Sequence, residues 1–217
     1  MMIKPRKDTY NGIDCNFFDM NSDKICFMFS GTGYNYDKPI LHYATSLMLD
    51  FDYDIVQVCY TFEQQLFHKS PNVISEKVFN TVDSIVTYYS QTKTYQKVVY
   101  LGKSLGTMPI IDFYMQQETV LPSHYILFTP LLSLEHTMQN LIHRHSFLAI
   151  GTADPHFTVE RLNQLTSHQL AIIENANHSL EIANHSLEIA NHSLESINTC
   201  HTILTELKLF LQNGSSF

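Results

Sequence analysis

Ser104 stands between Gly102 and Gly106 in the stretch VVYLGKSLGT, residues 98–107. A β-branched and aromatic run stops there and a helical pattern begins. A serine hydroxyl becomes a competent nucleophile when a base takes its proton, and the base works best when a carboxylate orients it. Two further residues could supply those roles. Asp154 lies in LAIGTADPHF (148–157) and His178 in AIIENANHSL (171–180). Each follows an apolar run, and the chain order is Ser, Asp, His. The chemistry such a set performs is acyl transfer through a serine-bound intermediate. Taken singly, each residue also has a plain structural reading: a glycine-flanked loop for Ser104, an Asp-Pro turn for Asp154, a loop before a helix for His178.

The flanking glycines have a physical logic. A turn from strand to helix this tight leaves room only for small neighbours, and it lifts the serine hydroxyl above the sheet. The backbone N–H of Leu105 then points toward the same space. A second backbone donor is expected from FMFSGTGYNYDKP (27–39), a glycine-rich loop after an early apolar run. Thr32 is the expected donor and Gly33 the alternative. Together Leu105 and Thr32 would form an oxyanion hole. A glycine-rich turn that merely ends a strand is the structural alternative. Lys103, beside the serine, reads as a solvated surface residue.

These residues need a frame that brings strand ends together. Short apolar runs at 24–30, 53–60, 97–102, 124–130, 146–152 and 169–175 fit strands buried on both faces of a parallel sheet. The stretch at 13–20 alternates and reads as an antiparallel edge strand. Three- and four-residue apolar spacing predicts helices over 38–51, 75–90 and 107–117. Alternating strands and helices point to an α/β fold. In parallel sheets ligands bind at the carboxyl ends of strands, where Ser104, Asp154 and His178 all fall.

Composition narrows the function. The 217 residues suit a single domain, residues 1–217, with a full core. A formal charge of −8 argues against a nucleic-acid partner. No run of apolar residues is long enough to span a membrane, and the N-terminal residues do not read as a secretory signal. Cys15, Cys26, Cys59 and Cys200 are scattered singly and read as free thiols, so a cytoplasmic protein is expected. The 12 histidines show no HExxH or paired Cys/His spacing, so no metal and no cofactor is expected.

GKSLG at 102–106, SGTG at 30–33, Asp154 in GTADPH and His178 in NANHS together resemble the α/β-hydrolase superfamily, in its small bacterial members. The resemblance covers roughly residues 13 to 212. It implies a mostly parallel twisted sheet of about seven or eight strands, with helices on both faces. It also implies a serine hydrolase mechanism with Ser104 as nucleophile, His178 as proton shuttle and Asp154 as its orienting group. Ser30 stands where a histidine is frequent in the family. The oxyanion donors are backbone groups and need no particular side chain there.

Residues 176–196 repeat one heptad three times, ANHSLEI ANHSLEI ANHSLES. This reads as a local expansion in the C-terminal helix region and offers His178, His185 and His192 in the same context. If the copies are helical, each displaces its histidine by about 10.5 Å, so a single copy reaches Ser104. His178 follows its strand by a normal loop length and is the expected base. Ala176, Leu180, Ala183, Leu187, Ala190, Leu194 and Ile197 would form a coiled-coil-like seam, with a homodimer through an elongated C-terminal helix as its consequence.

Only about 15 residues separate the runs at 124–130 and 146–152, too few for a large lid. An open pocket suits a small-molecule acyl substrate, a carboxylic ester or thioester. The competing class is a non-enzymatic hydrolase-like scaffold, the outcome expected if the repeats displaced the histidine.

Overall fold

A computed structural model describes residues 4–118, 121–182 and 193–213. Eight strands form one sheet in the order β1-β2-β4-β3-β5-β6-β7-β8. They are β1 (Arg6–Tyr10), β2 (Ile13–Phe18), β3 (Lys24–Phe29), β4 (Asp54–Cys59), β5 (Lys97–Lys103), β6 (Ser123–Phe128), β7 (Phe147–Gly151) and β8 (Gln169–Ile173). From β4 through β8 every pairing is parallel. The all-apolar runs of β3 and β7 fit this, since their side chains are buried on both faces.

Stretch 13–20 forms β2 and is antiparallel to β4, as expected, but it is not the edge. A hairpin through Asn11 and Gly12, both at positive φ, folds β1 back onto it. β1 carries the charged sequence RKDTY and has no apolar run to announce it. Such a strand suits an edge, where exposed backbone groups invite aggregation unless charge defends them.

Helices cover both faces. α1 (Pro39–Asp50) and α6 (Ser193–Asn213) bury Ile40, Leu41, Ala44, Met48, Ile203, Leu207 and Phe210 against one side. α2 (Pro71–Ser90), α3 (Thr107–Asp112) and α4 (Glu135–Leu141) pack Val78, Val82, Ile85, Ile110 and Leu141 against the other. A short α5 (Val159–Leu162) follows β7. Proline at the first helical position starts both α1 and α2, where its missing N–H costs nothing. Among the described residues no helix is long and apolar enough to cross a membrane.

The repeats depart from the sequence expectation. The first copy, Ala176–Ile182, is a tight turn. Asn177 Oδ1 accepts from the backbone N–H groups of Ser179 (2.8 Å) and Glu181 (3.2 Å), and Leu180 takes a positive φ of 63°. Ala176 and Ile182 bridge across the base of the turn. The side-chain amide of Asn177 thus competes with helix formation from its first residue. Among the described residues α6 spans Ser193–Asn213, so the same Ser-Leu-Glu is turn at 179–181 and helix at 193–195. Leu180 is buried at 3% exposure and Leu194 stands out at 74%. A continuous helical seam from Ala176 is therefore not formed; its positions Ala183, Leu187 and Ala190 lie outside the described residues. Ile203, Leu207, Phe210 and Leu211 are buried on the sheet rather than overhanging it. His185 and His192 lie outside the described residues.

Candidate active site

β5 ends at Lys103, and Ser104 follows with φ at 51°. The left-handed conformation is costly for a non-glycine residue and persists only where the surroundings enforce it. Both flanking glycines are part of that enforcement. A Cβ on Gly102 would lie 2.4 Å from the Gly106 carbonyl oxygen, and one on Gly106 would lie 2.2 Å from the Phe29 carbonyl oxygen. The chain therefore doubles back against β3 with no space for side chains. Ser104–Gly106 forms a 3-10 turn that runs into α3, and Thr107 Oγ1 donates to the Ser104 carbonyl (2.6 Å). Leu105 sits at the start of this helical segment, where backbone N–H groups have no intrahelical partner.

The Ser104 hydroxyl lies 2.8 Å from His178 Nε2, and His178 Nδ1 lies 2.7 Å from Asp154 Oδ2. The three residues singled out in the sequence thus meet in one hydrogen-bonded chain. Asp154 has a fully buried carboxylate, while a third of the His178 side chain is accessible. Burial alone pushes the Asp154 carboxyl up. Hydrogen bonds from His178 and from the backbone N–H of His156 (2.8 Å to Oδ1) outweigh it, and the group is held below the ordinary carboxylate range. An ionised Asp154 fixes the proton of His178 on Nδ1 and leaves Nε2 as the acceptor facing Ser104. Gly151, at the end of β7, makes the approach possible: a Cβ there would lie 1.9 Å from the Ala176 carbonyl oxygen.

The loop after β3 runs alongside the serine. A Cβ on Gly31 would lie 3.2 Å from Ser104 Cβ, so Thr32 and Gly33 follow directly beside the elbow, both exposed. Tyr60 anchors this strand end by donating to the Ser30 carbonyl (2.6 Å), and Tyr36 donates to the carbonyls of Met28 and Val58. Half-buried Tyr60, Phe62, Leu131 and Phe157, from the loops after β4, β6 and β7, pack on the core cluster that includes Leu105.

Lys103 departs from its expected surface position. It is 1% exposed, with Nζ donating to the His178 carbonyl (2.8 Å) and to Thr129 Oγ1 (3.1 Å), 4.4 Å above the Tyr34 ring. Burial pulls its pKa down to about 8, against the opposing pull of the Asp154 and Glu181 carboxylates. Sequence alone gives no sign of this, because the partner atom is a backbone carbonyl 75 residues away. His156 is a second neighbour that the reading of single strand ends passes over. Its ring centroid lies 5.4 Å from that of His178, and its Nδ1 is 2.6 Å from Ser133 Oγ.

A cleft of about 790 Å³ lined by His124, His143 and Arg144 opens at the amino ends of β6 and β7, away from Ser104.

No family model matches the chain, and no curated protein matches it. Solved structures do match over nearly its whole length. One is an α/β-hydrolase-like protein of unknown function from Agrobacterium tumefaciens, with a TM-score of 0.68, 10% identity and 95% of each chain covered. Another is a serine hydrolase without lid from Xanthomonas campestris, at 0.66 and 9% identity, covering 97% of this chain and 96% of the other. A third is an esterase of Pyrococcus furiosus, at 0.65 and 11% identity, covering 96% and 91%. The chain has the α/β-hydrolase fold, with the eight-stranded, mostly parallel sheet that fold implies.

Proposed function

We propose that this protein is a serine hydrolase that cleaves a carboxylic ester or thioester through an acyl-enzyme intermediate. The observation that carries the reading is the relay from Asp154 through His178 to Ser104, with the serine held at positive φ on the elbow after β5. Ser104 Oγ attacks the acyl carbon as His178 Nε2 takes the hydroxyl proton. The carbonyl oxygen becomes an oxyanion, for which the backbone N–H groups of Leu105 and Thr32 are the donors. Collapse expels the alcohol or thiol, which receives the proton from His178. Water then attacks the acyl carbon while the same nitrogen takes its proton, and that proton passes to Ser104 Oγ as the acid leaves. Asp154 remains ionised throughout and stabilises the imidazolium.

The connection between β6 and β7 holds only the short α4, which favours an open, lidless mouth and a small substrate. Free thiols at Cys15, Cys26, Cys59 and Cys200 favour a reducing, cytoplasmic setting. The scaffold alternative required a displaced histidine, and a 2.8 Å contact to the serine gives it no support.

Hydrolysis of p-nitrophenyl acetate and butyrate tests the reading. Ser104→Ala is expected to lower turnover by on the order of 10⁶, with the circular dichroism spectrum unchanged. Comparable turnover in the folded variant would remove Ser104 from the mechanism.

A further inference from the structure

Asp154, His156 and His178 form a group that the hydrolytic chemistry only partly uses. Among the described residues it is the one set of three or more His, Cys, Asp or Glu side chains that could hold a metal ion, with ligand atoms all within 4.8 Å of one another. Two imidazoles and a carboxylate are the ligand types of zinc sites, and three protein ligands leave a fourth position for water. The buried carboxylate anchors one side. The two half-buried rings lie with centroids 5.4 Å apart and planes tilted by 60°.

The surroundings resemble those of a ligand set held by outer partners. Asp154 Oδ1 accepts the backbone N–H of His156 (2.8 Å). His156 Nδ1 is fixed by Ser133 Oγ (2.6 Å). Lys103 ties down the carbonyl of His178 (2.8 Å). Such contacts orient metal ligands before the ion arrives. The Asp-Pro-His spacing and the distant His178 come from two different loops, so no short motif reveals the set.

We infer that Asp154, His156 and His178 form an inhibitory site for a divalent transition cation, of which Zn²⁺ is the representative. The inference rests on the hydrolase reading for its effect on turnover, but not for the binding itself. The consequence follows from imidazole tautomers. An ion on His178 Nδ1 takes the nitrogen that now carries the ring's single proton, shared with Asp154 Oδ2. The ring stays neutral by carrying that one proton on Nε2 instead, with no net proton lost. Nε2 faces Ser104 as a donor and can no longer accept the hydroxyl proton. The same ion withdraws Asp154 from its orienting role. Zinc would therefore lower kcat.

Titration calorimetry with zinc chloride tests the site directly, in the full chain and in the Ser104→Ala protein, which has no turnover to lose. Both are expected to bind. His156→Ala and the milder His156→Gln are expected to weaken binding by about tenfold or more. His143→Ala, in the cleft at the opposite end of the sheet, is expected to leave it unchanged. Zinc inhibition of p-nitrophenyl butyrate hydrolysis should shift by the same factor, each variant being compared with its own zinc-free rate. Equal zinc affinity in the folded His156 variants and the parent, or no zinc binding to the parent, would overturn the inference. Loss of the hydrolase reading would instead appear as absent turnover with His156-dependent zinc binding intact.

Discussion

Lys103 shows how far one side chain's role can lie from its sequence appearance. A lysine next to a serine in a loop reads as solvated, yet its ammonium is buried and holds the carbonyl of His178. In the proposed mechanism it acts through the histidine, as a positioning residue. Lys103→Met keeps the volume and removes the donor, so the His178 turn loses an anchor. The expected result is a kcat lower by roughly 10²-fold with KM nearly unchanged. Equal losses in both constants would indicate general damage. Stability gives a second readout. The folded-state pKa, about 8, is below the ordinary 10.5, so between those values the unfolded chain binds more protons. Stability in that window rises with pH, and the cost of burying the charged form is fully present below about pH 8. Urea unfolding should show the parent gaining about 1–2 kcal/mol relative to Lys103→Met from pH 8 to 9.5. A pH-independent difference would mean the lysine titrates normally.

At the scale of elements, the turn from β5 into α3 positions Ser104, the proposed nucleophile. Gly106 has φ at −67°, a conformation any residue adopts, so its requirement is one of space alone. Gly106→Ala places a methyl 2.2 Å from the Phe29 carbonyl and should destabilise the fold by at least about 2 kcal/mol in urea unfolding. An unchanged midpoint would show that β3 yields easily. The buried strands were readable from sequence because burial on both faces leaves apolar runs, as in KICFMF of β3. β1 was not, since an edge strand keeps a charged sequence. The positions of Ser104, Asp154 and His178 after β5, β7 and β8 were readable for the same reason the strands were. The fold of the repeats was not. Heptad spacing suggested helix, while Asn177 closes the first copy into a turn and residues 193–196 of the third copy lie in α6. Identical copies therefore differ by context, and their histidines should differ in consequence. His178→Ala is expected to abolish esterase turnover, while His185→Ala and His192→Ala keep most of it. Loss of turnover in either of the latter would assign the base to a different copy.

For the whole molecule, the sheet's parallel order brings the ends of β3, β5, β7 and β8 to one mouth. Residues separated by 74 positions thereby come within 2.8 Å. The central claim is that this mouth contains an activated serine. A fluorophosphonate probe reacts with such a serine and leaves a stable adduct whose position can be read by peptide mass spectrometry. The account predicts stoichiometric labelling of the folded protein at Ser104. Labelling should be absent in Ser104→Ala and strongly slowed in His178→Ala. Labelling at a different serine, or none in the folded parent, would contradict it.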